Sequence, residues 1–150
     1  TSGITIIEVL ATIAILGIVT TIVVGSFSSV TSSYKLKRVT NTVATMIEEA
    51  RSYSINSKNG SKYSIRFEPT KVVRYEGAVY DSNASSNYVL NLDSGVVVAS
   101  SSFIGGTTTV TFEKITGKTN NYGFVRFALS GATTSSSTIS INKTGIIEIR

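Results

Sequence analysis

The sequence lacks both cysteine and histidine among its 150 residues. Without cysteine, the chain can form no disulfide, no zinc–thiolate site and no thiol nucleophile. Without histidine, it has neither the most common general base nor the most common metal ligand. We therefore expect a protein that is not an enzyme, that binds no cofactor or metal ion, and whose fold is held together by packing.

Charge is absent from one long segment. Glu8 is the only charged residue before Lys35, so residues 9–34 form an uncharged run. Most residues from 4 to 27 are Ile, Val, Leu, Ala or Phe, and about 20 helical residues are enough to cross a bilayer. The run is too long for the apolar part of a cleaved secretory signal. We predict a retained transmembrane helix over residues 4–30.

Glu8 requires an explanation, because a carboxylate within apolar sequence costs on the order of 3 kcal/mol in membrane-insertion assays. No Lys or Arg precedes Lys35, so no side chain of the segment can neutralise it. The remaining positive group is a free N-terminal amine, either its own or that of an adjacent copy. Glu8 therefore needs a positive partner from outside the side chains of this segment.

Residues 3–10 (GITIIEVL) resemble the prepilin processing motif of type IV pilins and type II secretion pseudopilins. The resemblance implies that a prepilin peptidase cuts after Gly3 and that Ile4 becomes the methylated first residue. Glu8 then stands at the fifth mature position, where the family has a Glu, and residues 1–3 are a remnant of the leader. The resemblance thus implies that residues 4–30 form the polymerisation helix, with Gly3 and Ile4 as the processing residues and Ile4 and Glu8 as the assembly residues.

The same resemblance implies a location and partners. The precursor is expected in the cytoplasmic membrane as a single-pass protein with its C-terminal domain outside, and the assembled chain in an extracellular or periplasmic filament. Expected partners are copies of the chain or other pilins, the peptidase, an inner-membrane assembly platform and membrane lipid. Lys35, Lys37 and Arg38 would by themselves favour a cytoplasmic domain, but the Gly-to-Glu motif is more specific than three charges.

Two glycines interrupt the apolar segment. Gly17 and Gly25 each cost about 1 kcal/mol relative to alanine within a helix. One interpretation is close packing between helices in a membrane, where glycine is common. The other, implied by the family resemblance, is that the helix melts around these positions when the subunit enters a filament.

The segment after Tyr34 has helical periodicity. Six apolar residues recur at intervals of three or four and form one stripe, with the charged residues outside it: Leu36, Val39, Val43, Met46, Ala50 and Tyr53. Asn59 and Gly60 favour a helix end. We therefore predict an amphipathic continuation of the helix over residues 31–58.

Short alternating runs between polar turns predict antiparallel strands over residues 62–150. The predicted strands are 63–67, 71–75, 88–92, 95–99, 107–112, 124–129, 138–141 and 146–150, the last two forming a hairpin, with polar loops over 81–87 and 130–137. A long helix followed by strands predicts an α+β fold, in which the stripe packs on one face of a sheet. Residues 31–150 would thus form the globular domain.

A weaker resemblance, to the pseudopilin H and FimT-like branch of the family, covers residues 46–55 (MIEEARSYSI) and 63–67 (YSIRF). FimT-like pilins include DNA receptors. In this sequence Lys114, Lys118 and Arg126, with Tyr122, form a loose basic and aromatic set. DNA contact and an ordinary solvated surface both remain open for these residues, since a net charge of +5 is typical of soluble proteins as well.

Three functional hypotheses follow from the sequence. The first is a structural subunit, pilin or pseudopilin, of a type IV filament that serves adhesion, motility, secretion or DNA uptake. The second is a minor pilin that acts as a DNA receptor in uptake. The third is a single-span anchored domain that does not polymerise.

Overall fold

The protein is described by a computed structural model that covers residues 3–131 and 135–150, apart from the side chains of residues 22–29. The chain divides into two compact units, Thr1–Tyr34 and Lys35–Arg150. Over the described residues it forms a helix, a short 3₁₀ turn at Lys58–Gly60 and eight strands. These are α1 (Ile6–Ile55), β1 (Tyr63–Glu68), β2 (Lys71–Glu76), β3 (Tyr88–Asn91), β4 (Val96–Phe103), β5 (Thr109–Phe112), β6 (Gly123–Leu129), β7 (Ser136–Ile141) and β8 (Ile147–Ile149).

The predicted stripe on the second half of α1 is the part of the helix that packs into the core. Its residues up to Ala50 are buried, and Tyr53 packs partly buried against them. Ala44 and Ile47 are buried beside the stripe, which widens the apolar face beyond the predicted positions. Burial of this face, more than helix propensity, stabilises the second half of α1.

The helix ends at Ile55, three residues before the predicted end. Ser57 and Asn59 both adopt left-handed backbone conformations, which a continuing helix excludes. The carbonyl of Ser54 accepts hydrogen bonds from Ser57 and from Ile115, at 3.0 and 3.2 Å. A loop far along the chain thus occupies a carbonyl that a longer helix would need for itself.

The strands form two antiparallel sheets of four strands each, in the orders β3-β2-β1-β5 and β4-β6-β7-β8. All eight predicted strands are present, and their division between two sheets is a feature that the sequence did not predict. In the first sheet β1 already has neighbours on both sides, β2 and β5, so β4 pairs with β6 instead. The α+β prediction, with a long helix packed on antiparallel strands, is confirmed.

One core lies beneath α1 and draws on both sheets. The ring of Phe67 from β1 stacks on that of Phe103 from β4 at 5.4 Å between centroids. The Val98 N–H donates to the Pro69 carbonyl at 3.0 Å. Because these contacts link the sheets, the second half of the helix and both sheets form a single packed unit.

The end of β4 differs from the sequence prediction for a physical reason. β4 runs on to Phe103 through three serines that resemble a turn in sequence, and a bulge between Val98 and Ser100 shifts its register. Because the outer face of this sheet is exposed, serine is compatible with the strand. The predicted loop 130–137 lies partly outside the described residues.

Candidate assembly site and basic surface

Thr5 caps the start of α1. The Glu8 N–H donates to the Thr5 side-chain oxygen at 3.3 Å and to its carbonyl at 3.1 Å, and the Val9 N–H donates to the same carbonyl at 3.2 Å. Thr5 is therefore the N-cap, and Glu8 is the third helical residue, as in a capping box. A carboxylate in the first turn also interacts favourably with the helix dipole. The capping role of Thr5 was missed by the sequence analysis, although the Thr-x-x-Glu spacing signals it.

The predicted processing residues lie just outside the helix. Gly3, Ile4 and Thr5 are non-helical, and Ile4 is 79% exposed. A Cβ on Gly3 would meet nothing within 4 Å. The peptide bond between Gly3 and Ile4 is thus accessible, and it can be cut without unwinding the helix.

The first turns of α1 expose apolar side chains on every face. Residues 3–21 are all exposed, among them Ile6 at 82%, Ile7 at 72% and Leu16 at 64%. An apolar surface of this extent marks an interaction site for protein or lipid. Glu8 lies within this surface and is exposed as well.

Three threonines in this segment satisfy their own hydroxyl groups. The side chains of Thr12, Thr20 and Thr21 donate to backbone carbonyls three or four residues earlier, at 2.7–2.8 Å. Their polar groups therefore need no partner from the surroundings, and the described side chains of residues 6–21 present only apolar chemistry apart from Glu8.

The two predicted melting positions lie within a continuous helix, since α1 passes through both Gly17 and Gly25. A Cβ on Gly17 would meet nothing within 4 Å, so close packing inside the chain does not account for this glycine. The surroundings of Gly25 lie outside the described residues. Melting in a filament stays a prediction.

Among the described residues, no helix is both long enough and apolar enough to cross a membrane. The predicted transmembrane segment, 4–30, is therefore not confirmed. It includes residues 22–29, whose side chains lie outside the described part of the chain.

Two crystal structures of the type IV minor pilin FimU from Pseudomonas aeruginosa are similar to this chain. Their TM-scores are 0.60 and 0.58, at 13% and 14% sequence identity. The matches cover 78% and 77% of this chain and 89% and 92% of the FimU chains. The chain has the fold of a type IV pilin. The resemblance read from residues 3–10 is thereby confirmed at the level of fold, while the pseudopilin branch remains a prediction.

No family model and no curated protein sequence matches the chain. The pilin fold is therefore recognised here through its architecture, a long N-terminal helix packed on antiparallel strands, and not through overall sequence identity.

Basic residues of this pilin fold meet at the end of α1, where the 58–62, 113–119 and 142–145 connections come together. Lys114 Nζ donates to the Gly60 carbonyl at 3.0 Å, and the Thr119 N–H donates to the Lys143 carbonyl at 3.1 Å. We call the five lysines on these connections the lysine pole: Lys58, Lys62, Lys114, Lys118 and Lys143. Three of the five were not singled out in the sequence, because they are far apart along it.

Acidic residues neutralise part of the lysine pole. Lys62 Nζ lies 2.6 Å from Glu113 Oε2. Hydrogen bonds from Ser61 and Asn59 hold the pKa of Glu76 below its ordinary value, so that this carboxylate stays ionised close to Lys58. The excess positive charge of the pole therefore rests mainly on Lys114, Lys118 and Lys143.

The other predicted DNA-contact residue lies on a different element. Arg126 is in the middle of β6, on the exposed face of the second sheet, and its Nε donates to Thr138 Oγ1 at 3.4 Å. Tyr122 precedes that strand and is 39% exposed. The structure thus joins Lys114 and Lys118 on one loop and places Arg126 within a strand.

Proposed function

We propose that this chain is a structural subunit of a type IV filament and that residues 4–30 hold it in the polymer. The observation that carries the proposal is the exposure of apolar side chains on all faces of the first turns of α1. Full burial of one such side chain contributes about 1.5–3 kcal/mol, so their association with other helices strongly favours a polymer. The pilin fold supports the same conclusion.

The proposal includes the route to the filament. The precursor is held in the cytoplasmic membrane by the apolar segment, with its globular domain outside, and a prepilin peptidase cuts between Gly3 and Ile4. An inner-membrane assembly platform then moves the subunit into an extracellular or periplasmic filament with copies of itself or with other pilins. Adhesion, motility, secretion and DNA uptake are all compatible with such a subunit.

Glu8 gives the assembly its register. Within a bundle of apolar helices its carboxylate is desolvated, and the positive amine of Ile4 in a neighbouring subunit is a suitable partner. An unpaired charge in such surroundings costs several kcal/mol, whereas packing of Ile6, Ile7 and Leu10 is non-directional. The ion pair therefore selects one axial position among many of similar packing energy.

The test compares Glu8→Ala and Glu8→Gln with the unchanged chain in cells. Subunit is quantified in sheared filaments and in the membrane fraction. Both variants should accumulate in the membrane and be depleted from filaments about tenfold or more, because an unpaired amine remains. The N-cap bond survives in both, since it uses the backbone N–H of residue 8. Thr5→Val serves as the matched control that removes the cap and keeps the carboxylate.

Normal incorporation of Glu8→Ala would leave Glu8 with no role in assembly. Absence of the unchanged chain from sheared filaments would favour the third hypothesis, an anchored domain that does not polymerise.

DNA reception is a second candidate function, which the lysine pole favours. Lysines that meet at one end of a domain can contact several phosphates at once, and such binding weakens steeply with salt. We expect Lys114→Ala with Lys118→Ala to lower retention of double-stranded DNA and to reduce its log–log salt slope by about 2. Lys35→Ala with Lys37→Ala is the matched control, because it removes the same charge elsewhere. Equal retention by both double variants would exclude the pole as a DNA site.

A further inference from the structure

A cavity of about 310 Å³ lies between the end of α1 and the hairpin that leads into β8. The helix contributes Glu48, Arg51, Ser52 and Ile55 to its lining, and residues 145–147 form the opposite wall. The cavity is open to solvent and lies between a helix and the start of a strand. We call it the α1–β8 groove.

Arg51 is an unpartnered cation in this groove. Its Nε atom is buried and has no hydrogen-bond partner, because the side chain passes directly over the Cα of Gly145. Glu48 lines the same cavity, but no described acidic group lies within ion-pairing distance of Arg51. A buried guanidinium nitrogen without a partner is costly, so a carboxylate that enters the groove gains a pre-positioned partner.

The strand beside the groove has an open edge. β8 is the last strand of its sheet, and Thr138 and Arg150 exchange both backbone hydrogen bonds at 2.8 Å. Because paired residues alternate in an antiparallel ladder, the backbone groups of Ile147 and Ile149 point away from β7, towards the open side. Ile149 is also 44% exposed. An apolar strand edge of this kind accepts a further strand.

Residues 77–81 have the matching chemistry on another surface of the chain. Val79 is 85% exposed, and Asp81 is an exposed acid with no ion pair among the described residues. The backbone groups of Ala78, Val79 and Tyr80 likewise make no hydrogen bond within the part of the chain that is described. The Asp81 carbonyl accepts hydrogen bonds from the Ala84 N–H at 3.3 Å and from Asn87 Nδ2 at 2.7 Å, and its Oδ1 accepts one from the Asn83 N–H at 2.9 Å. The segment thus has free backbone groups at residues 78–80, an exposed apolar side chain, and a carboxylate whose Oδ2 makes no hydrogen bond within the described part of the chain.

Tyr80 fixes how this segment is presented. Its ring packs against Tyr75 at 5.2 Å and lies 5.0 Å from the Arg66 guanidinium. Tyr80 is thereby anchored against the sheet, while its neighbours Val79 and Asp81 stay exposed to solvent.

We propose that, in the filament proposed above, residues 77–81 of one subunit bind as an added strand in the α1–β8 groove of a second copy. An antiparallel arrangement places Val79 against Ile149 and Asp81 at the Gly145 end of the groove, beside Arg51. The contact joins two different surfaces of the same chain, so it repeats along an open polymer instead of closing into a dimer.

The absence of cysteine permits a direct test by cross-linking. Full-length chain carrying both Val79→Cys and Ile149→Cys is expressed in cells, sheared filaments are collected and mildly oxidised, and disulfide-linked species are separated without reductant. We expect dimers and longer ladders joined between residues 79 and 149, verified by mass spectrometry. The two single-cysteine variants are controls for pairing of identical positions.

Two charge substitutions test the contact with Arg51. Asp81→Lys changes an exposed side chain whose hydrogen bond within the described chain is the one accepted from the Asn83 N–H, and it should lower the cross-linked fraction about tenfold by opposing two cations. Adding Arg51→Glu should restore the cross-link. Sheared filaments that contain the chain but yield no 79–149 link, or a link from residue 149 to a different protein, would overturn this inference alone. Loss of the unsubstituted chain from sheared filaments would instead count against the filament proposal itself.

Discussion

Gly145 and Gly117 lie so close that a Cβ on Gly145 would overlap the carbonyl oxygen of Gly117. Gly145 also has a left-handed backbone, with φ of 80°, as required by the turn between β7 and β8. Gly117 is packed in turn against Ile55, whose Cδ1 atom would be 2.7 Å from an added Cβ. The hairpin, the β5–β6 loop and the end of α1 are therefore in direct contact and leave no space for side chains.

Gly145→Ala should lower the free energy of unfolding by about 3 kcal/mol or more, because it adds a steric overlap to an unfavourable backbone conformation. Gly60→Ala is the matched control. Gly60 also has a positive φ, of 69°, but a Cβ there meets nothing within 4 Å. We expect the control to lower the free energy of unfolding by about 1 kcal/mol, as measured by urea unfolding of both variants. Equal losses for both variants would show that the contact with Gly117 is relaxed at little cost.

The cluster around Arg74 should contribute more to stability than a surface ion pair. Arg74 pairs with Glu49 and lies 4.9 Å from the rings of Tyr53 and Tyr88. Arg74→Lys removes the contact of the planar guanidinium with the two rings and should lower the free energy of unfolding by about 1–2 kcal/mol. Arg150→Lys, in the exposed pair with Glu148, should change stability by less than about 0.5 kcal/mol. Thermal unfolding of both variants checks the difference.

A fragment of residues 29–150 should be soluble and should fold cooperatively. The core residues lie at or beyond Leu36, and the chain divides into units after Tyr34. Removal of the exposed apolar segment therefore removes no residue of the core. Circular dichroism during thermal unfolding is the measurement, and a transition without cooperativity would contradict the prediction.

Stability of the same fragment should fall in acid because of Glu68 and Glu76. Partial burial pushes the pKa of Glu68 up, but hydrogen bonds from Arg66 and Lys71 outweigh it and hold the pKa below its ordinary 4.5. The pKa of Glu76 is lowered by hydrogen bonds from Ser61 and Asn59. Between the ordinary and the lowered values the unfolded chain binds protons that the folded chain does not.

The stabilisation is therefore complete above the ordinary pKa and is lost as the pH falls through the lowered values. The melting temperature should drop between about pH 5 and pH 3. Glu68→Gln combined with Glu76→Gln should make this drop smaller. An unchanged slope in the double variant would assign the acid sensitivity to other carboxylates.

Processing gives a prediction that mass spectrometry can check. Protein recovered from filaments should begin at Ile4 and carry one methyl group on its amine, since the Gly3–Ile4 bond precedes the helix and is exposed. Gly3→Val should block the cleavage and keep the chain in the membrane fraction. A filament subunit that begins at Thr1 or before it would contradict this prediction.

Sequence reasoning was accurate where a local pattern determines the structure. Each of the eight strands alternates apolar and polar residues or adjoins a turn, and the stripe from Leu36 to Ala50 has a helical period, so both were predictable. The division into two sheets was not, because it depends on β1 pairing with β5 across more than forty residues of sequence. The same limit applies to the lysine pole and the α1–β8 groove, whose residues meet only through contacts between distant segments.

In the processing proposed above, the N-cap at Thr5 would make cleavage change the charge at the start of the helix without changing its structure. Because the helix begins after the Gly3–Ile4 bond, cleavage leaves its first turn unchanged and adds only a cation, at the positive end of the helix dipole. That position is unfavourable for a positive charge. The Glu8 carboxylate of the same subunit is held in the first turn of the same helix, so it neutralises the new amine only in part. In the proposed filament, each processed subunit would thus carry an excess positive charge at its tip that the Glu8 of a neighbour can relieve, so that the cut itself would supply a driving force for polymer growth.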